Sequence, residues 1–261
     1  MDCAPVTVRP SVALVVPTLG QRPEYLSQSL ESIRAAGESY VVVVAPASFD
    51  ASALIAAGLV DSKLDETGRT LAAAINQGFA AVPAETEYLA WLGDDDLLRE
   101  GALTAAWEFL QTHPRSAMVY GACDYIDENN QIVWENRSGV WAAPLLRFGP
   151  DLIPQPGSLF RRSAVLKAGE LRTDLGWAFD LEFFLRLARY GRLSYLRRTL
   201  AAFRWHSGSL SVGQRESSVR EASDVRREYL PRWVRPVSGL WERPVRWATL
   251  HGGDWVVKEK K

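Results

Sequence analysis

Tyr88-Leu89-Ala90-Trp91-Leu92-Gly93-Asp94-Asp95-Asp96-Leu97-Leu98 sets an apolar run directly against three consecutive carboxylates. The run Tyr88–Leu92 is short and unbroken, the pattern of a strand buried on both faces. Three adjacent Asp side chains repel one another, so a fold that gathers them at a strand end usually compensates with a cation. Hard oxygen ligands in that position suit Mg²⁺ or Mn²⁺ bridging a diphosphate. Taken alone, the triplet reads equally as a solvated acidic turn. The surrounding sequence decides.

Outward from this stretch, strand and helix patterns alternate. Val12–Val16 is a fully apolar strand, followed by a loop over Pro17–Pro23 and a helix over Glu24–Ala36. On that helix Tyr25, Leu26, Ser29, Leu30 and Ile33 fall at helical spacing. Tyr40–Ala45 is a second, β-branched strand; Thr70–Ala81 and Glu100–Thr112 are helices; Ala117–Tyr120 is a short strand. Asp124–Val133 reads as a hairpin-like excursion, and residues 141–158, rich in proline and glycine, as a long connection. Asp180–Tyr190 is an amphipathic helix, with strands at Leu193–Leu196 and Leu200–Trp205. The alternation predicts an α/β fold whose doubly wound, mostly parallel sheet binds ligands at its strand carboxyl ends. Pro17–Arg22, Ala45–Ser48 and Gly93–Asp96 then surround one crevice. No Gly-x-Gly-x-x-Gly dinucleotide fingerprint occurs.

Composition narrows the function. The 261 residues are 47% hydrophobic and 23% charged, as expected of a soluble globular chain. A net charge of −1 gives no general attraction to nucleic acid. Two cysteines, Cys3 and Cys123, make no disulfide framework, so a reduced, cytoplasmic protein is expected. No secretory leader and no bilayer-length apolar run is visible. From about residue 213 the character changes: residues 215–261 hold 11 Arg or Lys against 7 Asp or Glu, with Trp233, Trp241, Trp247 and Trp255 among them. Such a tail suits either a membrane surface, where indole and basic groups are both at home, or packing against the main domain or a second subunit. The expected organisation is therefore a domain over 1–212 and an extension over 213–261.

Four motifs in order resemble those of family-2 glycosyltransferases with the GT-A fold, over roughly residues 10–212. They are the strand ending in Pro17-Thr18, Gly68 to Gly78 with Asn76 inside it, Glu87-Tyr88 leading into the acidic triplet, and Phe179-Asp180-Leu181-Glu182 followed by Phe203-Arg204-Trp205-His206-Ser207-Gly208. The resemblance implies an inverting enzyme that uses Mn²⁺ or Mg²⁺. Its partners would be a nucleotide-diphosphate sugar and a glycan or lipid-linked acceptor of a bacterial-type cell envelope. It makes Asp95 the first metal ligand, with Asp96 and His206 beside it, and Asp94 a contact to donor ribose or sugar. It places the nucleotide against Pro17, Thr18, Leu19, Arg22, Ala45 and Arg69, with Asn76 bracing the loop. Asp180 becomes the general base, Glu182 its understudy, and Trp177 a platform for a sugar face.

For each residue a plainer role competes. Asp96 reads equally as a helix-capping carboxylate, Asp180 as an acid favoured by a helix dipole, Arg69 as an exposed helix-start cation. Two departures from the family pattern matter. Many relatives end the second strand in acids, whereas Val43-Val44-Ala45-Pro46-Ala47-Ser48 has none before Asp50, leaving the donor base unspecified. Gly93 stands where many place the first Asp of the acidic motif. A non-catalytic GT-A domain that binds nucleotide or glycan as a scaffold is the alternative reading. A nucleotidyltransferase fits poorly, because Thr18-Leu19-Gly20-Gln21-Arg22 has too little glycine for a phosphate loop.

Overall fold

A computed structural model describes residues 11–205, 215–242, 244 and 245. In chain order the elements are β1 (Val12–Pro17), α1 (Pro23–Ala36), β2 (Tyr40–Ala45), α2 (Ser52–Ala56), β3 (Ser62–Asp65), α3 (Leu71–Ala81), β4 (Tyr88–Trp91) and β5 (Leu97–Leu98). There follow α4 (Ala102–Thr112), β6 (Ser116–Ile126), β7 (Ile132–Asn136), α5 (Ala142–Leu145), β8 (Leu159–Arg161), α6 (Arg162–Ala168), α7 (Phe179–Leu187), β9 (Arg192–Arg204) and α8 (Arg215–Tyr229).

The described strands form one sheet in the order β3-β2-β1-β4-β8-β6-β9-β5, with β7 pairing β6. β3, β2, β1 and β4 are mutually parallel, so their carboxyl ends share one edge. β8 is antiparallel to both β4 and β6, and β6 and β9 are again parallel. This is the mixed, mostly parallel sheet flanked by helices that the sequence predicts.

Side-chain alternation along β1 and β2 explains the layering. Ala13, Val15, Val42 and Val44 face one core with α3, α7 and Val225 of α8. Val12, Leu14, Val16, Val41 and Val43 face the other with Leu26, Leu30 and Ile33 of α1 and Leu103 and Leu110 of α4. Period-two strands with both faces apolar can only be satisfied by helices on both sides.

Several expectations need correction. The strand begun at Ala117 runs on to Ile126, and the two strands expected over Leu193–Trp205 are one, β9. That strand carries an irregularity: Tyr120 pairs Tyr195, but Ala122 pairs Thr199, leaving two extra residues on β9. The helix expected over Asp180–Tyr190 stops at Leu187. β3, β5, β8 and α6 lie in segments to which the sequence pattern assigns no element. No helix of the described residues is long and apolar enough to cross a membrane.

Candidate active site

β4 delivers the acidic triplet to the shared carboxyl edge of the parallel strands. Thr18, just past β1, donates its hydroxyl to Asp94 at 2.5 Å and accepts from the Gly20 N–H at 3.0 Å. Burial raises the Asp94 carboxyl above its ordinary range; the Thr18 bond opposes this and the Asp95 charge adds to it. Asp95 is ion-paired to Arg22 at 2.9 Å. Asp96 is buried, accepts from the Arg204 backbone N–H at 3.0 Å, and is pushed well above the carboxylate range by burial and then by Asp95.

Gly93 has a steric reason. A Cβ there would stand 3.1 Å from both Asp95 Oδ1 and Asp96 Oδ2, so an acid at this position would press on the two carboxylates it precedes.

Arg204, at the end of β9, organises the triplet from behind. It is fully buried, and its Nε donates to the Asp95 carbonyl at 2.9 Å. Nη1 reaches Asn130 Oδ1 at 2.8 Å, Nη2 reaches Gln28 Oε1 at 3.0 Å, and the guanidinium lies 4.2 Å from the Tyr25 ring centroid. Buried arginine is tolerated only with such saturation. Sequence reading quotes Arg204 within a motif but gives it no role; its place two residues before His206 was the available signal.

The helix motif from Gly68 to Gly78 is architectural. Thr70 caps α3, accepting from Ala73 N at 3.2 Å. Asn76 exchanges two 2.8 Å hydrogen bonds with the backbone of Leu171, tying α3 to the segment before α7. A Cβ on Gly78 would stand 2.4 Å from Val15 Cγ1, so glycine sets the closeness of α3 to β1. Asn76 thus braces the segment before α7 with one donor and one acceptor of its amide. Arg69 is exposed, with no hydrogen bond or ion pair among the described residues.

Asp180, the second residue of α7, accepts from the N–H of Leu181 at 2.7 Å. Its carboxyl is pushed up to about 7, by burial first and by the Asp151 charge second. Asp151, in the long connection, is itself raised to about 6 by burial, with Arg226 of α8 opposing. Two carboxylates held this close titrate as a pair. Asp151 was not singled out in the sequence, where an acid in a proline-rich connection has no periodicity to mark it. Trp177 is half-buried, and its N–H, with those of Gly176 and Ala178, donates to Glu221 of α8.

Glu182 requires correction. It is 2% exposed, accepts from Arg186 Nε at 2.9 Å and from the Tyr229 hydroxyl, and so belongs to an internal ion pair. The i,i+4 spacing of Glu182 and Arg186 signals that pairing in the sequence.

Pro17 is buried and Leu19 is 60% exposed, while the Ala45 carbonyl already accepts from Glu66 N at 2.7 Å. β3 sets Asp65 opposite Ala45 in register, an acid at the edge where β2 lacks one. His206 lies outside the described residues.

Among the described residues no three His, Cys, Asp or Glu side chains stand ready-arranged around a metal position. The donor chemistry nonetheless fits Mn²⁺ or Mg²⁺. Asp95 and Asp96 turn one oxygen each toward a common point beside Gly93; burial first, and the neighbouring carboxylates after it, raise Asp94 and Asp96, and a cation would relieve both effects.

Comparisons with known proteins agree with this architecture. The sequence model for "Glycosyl transferase family 2" matches residues 13–167, more than half of the chain. Comparison with the curated proteins gives no match. Among solved structures, S. aureus TarS 1-349 superposes with a TM-score of 0.57 at 16% identity, over 82% of this chain and 64% of that one. The same TarS fragment in complex with UDP gives 0.57 at 17%. The mannosyltransferase PcManGT from Pyrobaculum calidifontis, in complex with GDP-Man and Mn²⁺, gives 0.62 at 17%, over 95% of this chain and 76% of that one. The chain thus spans less than two thirds of the TarS fragment, and at these identities the likeness is one of fold. Together with the family match over both the first strand and the acidic triplet, it shows that the chain belongs to glycosyl transferase family 2.

Proposed function

We propose that the chain is an inverting, metal-dependent glycosyltransferase that moves a sugar from a nucleotide-diphosphate sugar to an acceptor hydroxyl. The observation that carries the mechanism is Asp180: a carboxyl at the mouth of α7, raised to about 7, is matched to taking a proton from a hydroxyl at neutral pH. Asp180 accepts the acceptor's proton as the acceptor oxygen bonds to the anomeric carbon. The bond from that carbon to the diphosphate breaks, and the nucleoside diphosphate leaves. Inversion follows from this single displacement.

Asp95, with Asp96 and His206, would hold Mn²⁺ or Mg²⁺, which neutralises charge on a leaving diphosphate. Thr18 orients Asp94 toward the donor sugar or ribose, and Leu19, Arg22 and Arg69 line the nucleotide side. Trp177 offers a face for the acceptor sugar. The solved complexes of TarS with UDP and of PcManGT with GDP-Man and Mn²⁺ support a nucleotide-sugar donor and a metal. A glycan or lipid-linked acceptor of cell-envelope type, handled on the cytoplasmic side, suits the exposed Trp233 and Leu240 of the C-terminal extension, whether they meet a membrane surface or a second subunit.

One observation favours the alternative of a non-catalytic nucleotide- or glycan-binding scaffold: Arg22 already neutralises Asp95. Melting curves with UDP, GDP, dTDP and CDP, each with and without Mn²⁺, separate the two. A nucleotide at 100 times its Kd adds about 2.7 kcal/mol to the folded state. Metal-dependent stabilisation by one nucleotide, absent in Asp95→Asn, is the expected result. Stabilisation by none of the four would leave the scaffold reading ahead.

A further inference from the structure

α8 begins at Arg215, well beyond residue 167 where the family match ends. Its Glu221 carboxylate accepts three consecutive backbone N–H groups: Gly176 at 2.9 Å on Oε1, and Trp177 and Ala178 at 2.7 Å each on Oε2. These amides precede the first turn of α7, where backbone N–H groups have no partner within the helix and a negative charge is favoured. Asp180 lies two residues beyond Ala178.

The helix that carries Glu221 is itself fastened. Val225 is 1% exposed in the core shared with α7. Arg226 Nε donates to the Leu146 carbonyl at 3.3 Å, Glu228 pairs with Arg172 at 2.7 Å, and the Tyr229 hydroxyl meets Glu182. Glu221 therefore reaches the turn from a braced scaffold. Three amides sharing one carboxylate fix the path of the chain into α7 more tightly than solvent would.

We propose that Glu221 is a positioning residue for the acceptor side: it locks the 176–178 turn so that Asp180 presents its carboxylate to the acceptor hydroxyl. This rests on the reading of Asp180 as the base. The charged groups bearing on Asp180 are Asp151 from the long connection and Glu221 from α8, both raising its pKa after burial; Arg226, also on α8, acts on Asp151 in the opposite sense. Glu221 thus holds the place of the base and adds the smaller part of the negative charge around it, Asp151 the larger.

The test needs no known acceptor. Carboxyl-carbon NMR follows the titration of Asp180, its resonance assigned by its loss in Asp180→Asn. Amide exchange at 176–178 and hydrolysis of UDP-glucose and GDP-mannose with Mn²⁺ are measured alongside. In wild type the three amides should be protected, and in Glu221→Gln they should exchange about tenfold faster or more. The Asp180 midpoint should fall, because a neighbouring negative charge is gone. Arg226→Met should move the Asp151 midpoint upward, the opposite sense. A purely structural role for Glu221 would loosen the turn without moving the Asp180 midpoint.

Amides 176–178 that exchange freely in wild type would overturn the inference without any variant. So would an unmoved Asp180 midpoint in Glu221→Gln. Donor hydrolysis lost in Asp180→Asn but at wild-type level in Glu221→Gln would overturn the positioning role and leave the base intact. Undiminished hydrolysis in Asp180→Asn would overturn both.

Discussion

Asp180 binds its proton more tightly in the folded chain than a solvated carboxyl does, and two consequences of opposite kind follow. A base works only when ionised, so donor turnover should rise about tenfold per pH unit below 7 and level off above it. Stability runs the other way. With the folded pKa above the unfolded one, the contribution is fully present below about pH 4 and is lost as pH rises through 7. Urea unfolding of wild type and Asp180→Asn at pH 5 and pH 8 should show the variant gaining on wild type at the higher pH. The neighbouring Asp151 spreads both transitions, because the pair titrates together. Asp95 and Asp180 can be proposed from the sequence because each stands at fixed spacing within a motif. Asp151 and Arg204 cannot, since their meaning lies in contacts that no local pattern encodes: Arg204 bonds to Asp96 from 108 residues away. Glu182 carries both signals at once, a carboxylate near a helix start and an i,i+4 spacing to Arg186, and in the folded chain it is the second that is realised.

At the scale of the element, α3 shows how a motif can be structural while sitting beside a site. Asn76→Ala leaves the Leu171 N–H and C=O without their partner, a loss of about 1–3 kcal/mol by chemical denaturation. Gly78→Ala drives a methyl into Val15 and should destabilise by about 1–3 kcal/mol, unless α3 moves off the sheet. Smaller losses would mean that α3 can retreat from β1. The apolar and periodic elements, β1, α1, β2, α3 and α4, were readable to within a residue or two. β5 and β8 have two and three residues, too few to show a period, and β3 reads Ser-Lys-Leu-Asp, with no apolar alternation. β9 was split in two because its extra residues break the alternation while the strand continues.

On the scale of the whole molecule, α8 turns the start of the C-terminal extension into part of the main body. A chain ending at Ser211 loses the burial of Val225 and Leu230, each worth about 1.5–3 kcal/mol, and the six fastenings from Glu221 to Tyr229. Its melting temperature should fall well below that of the full chain, and an unchanged value would show that the two fold apart. The composition of residues 215–261 announced a change of character near residue 213, but not its direction. An Arg-rich amphipathic helix reads alike whether it docks on a protein or on a bilayer.

β6 is an 11-residue strand whose one side is taken by β8 and β7 and whose other side waits for β9. A chain emerging from the ribosome finishes β6 at Ile126, nearly eighty residues before its partner is complete at Arg204. Through that interval the longest strand made so far offers an open row of backbone donors and acceptors, and the three aspartates lack the arginine that will close over them. The acidic site is thus among the last parts of this protein that can exist. A prematurely terminated chain, even one containing every residue of the family match, would be an aggregation hazard before it could be a weak enzyme.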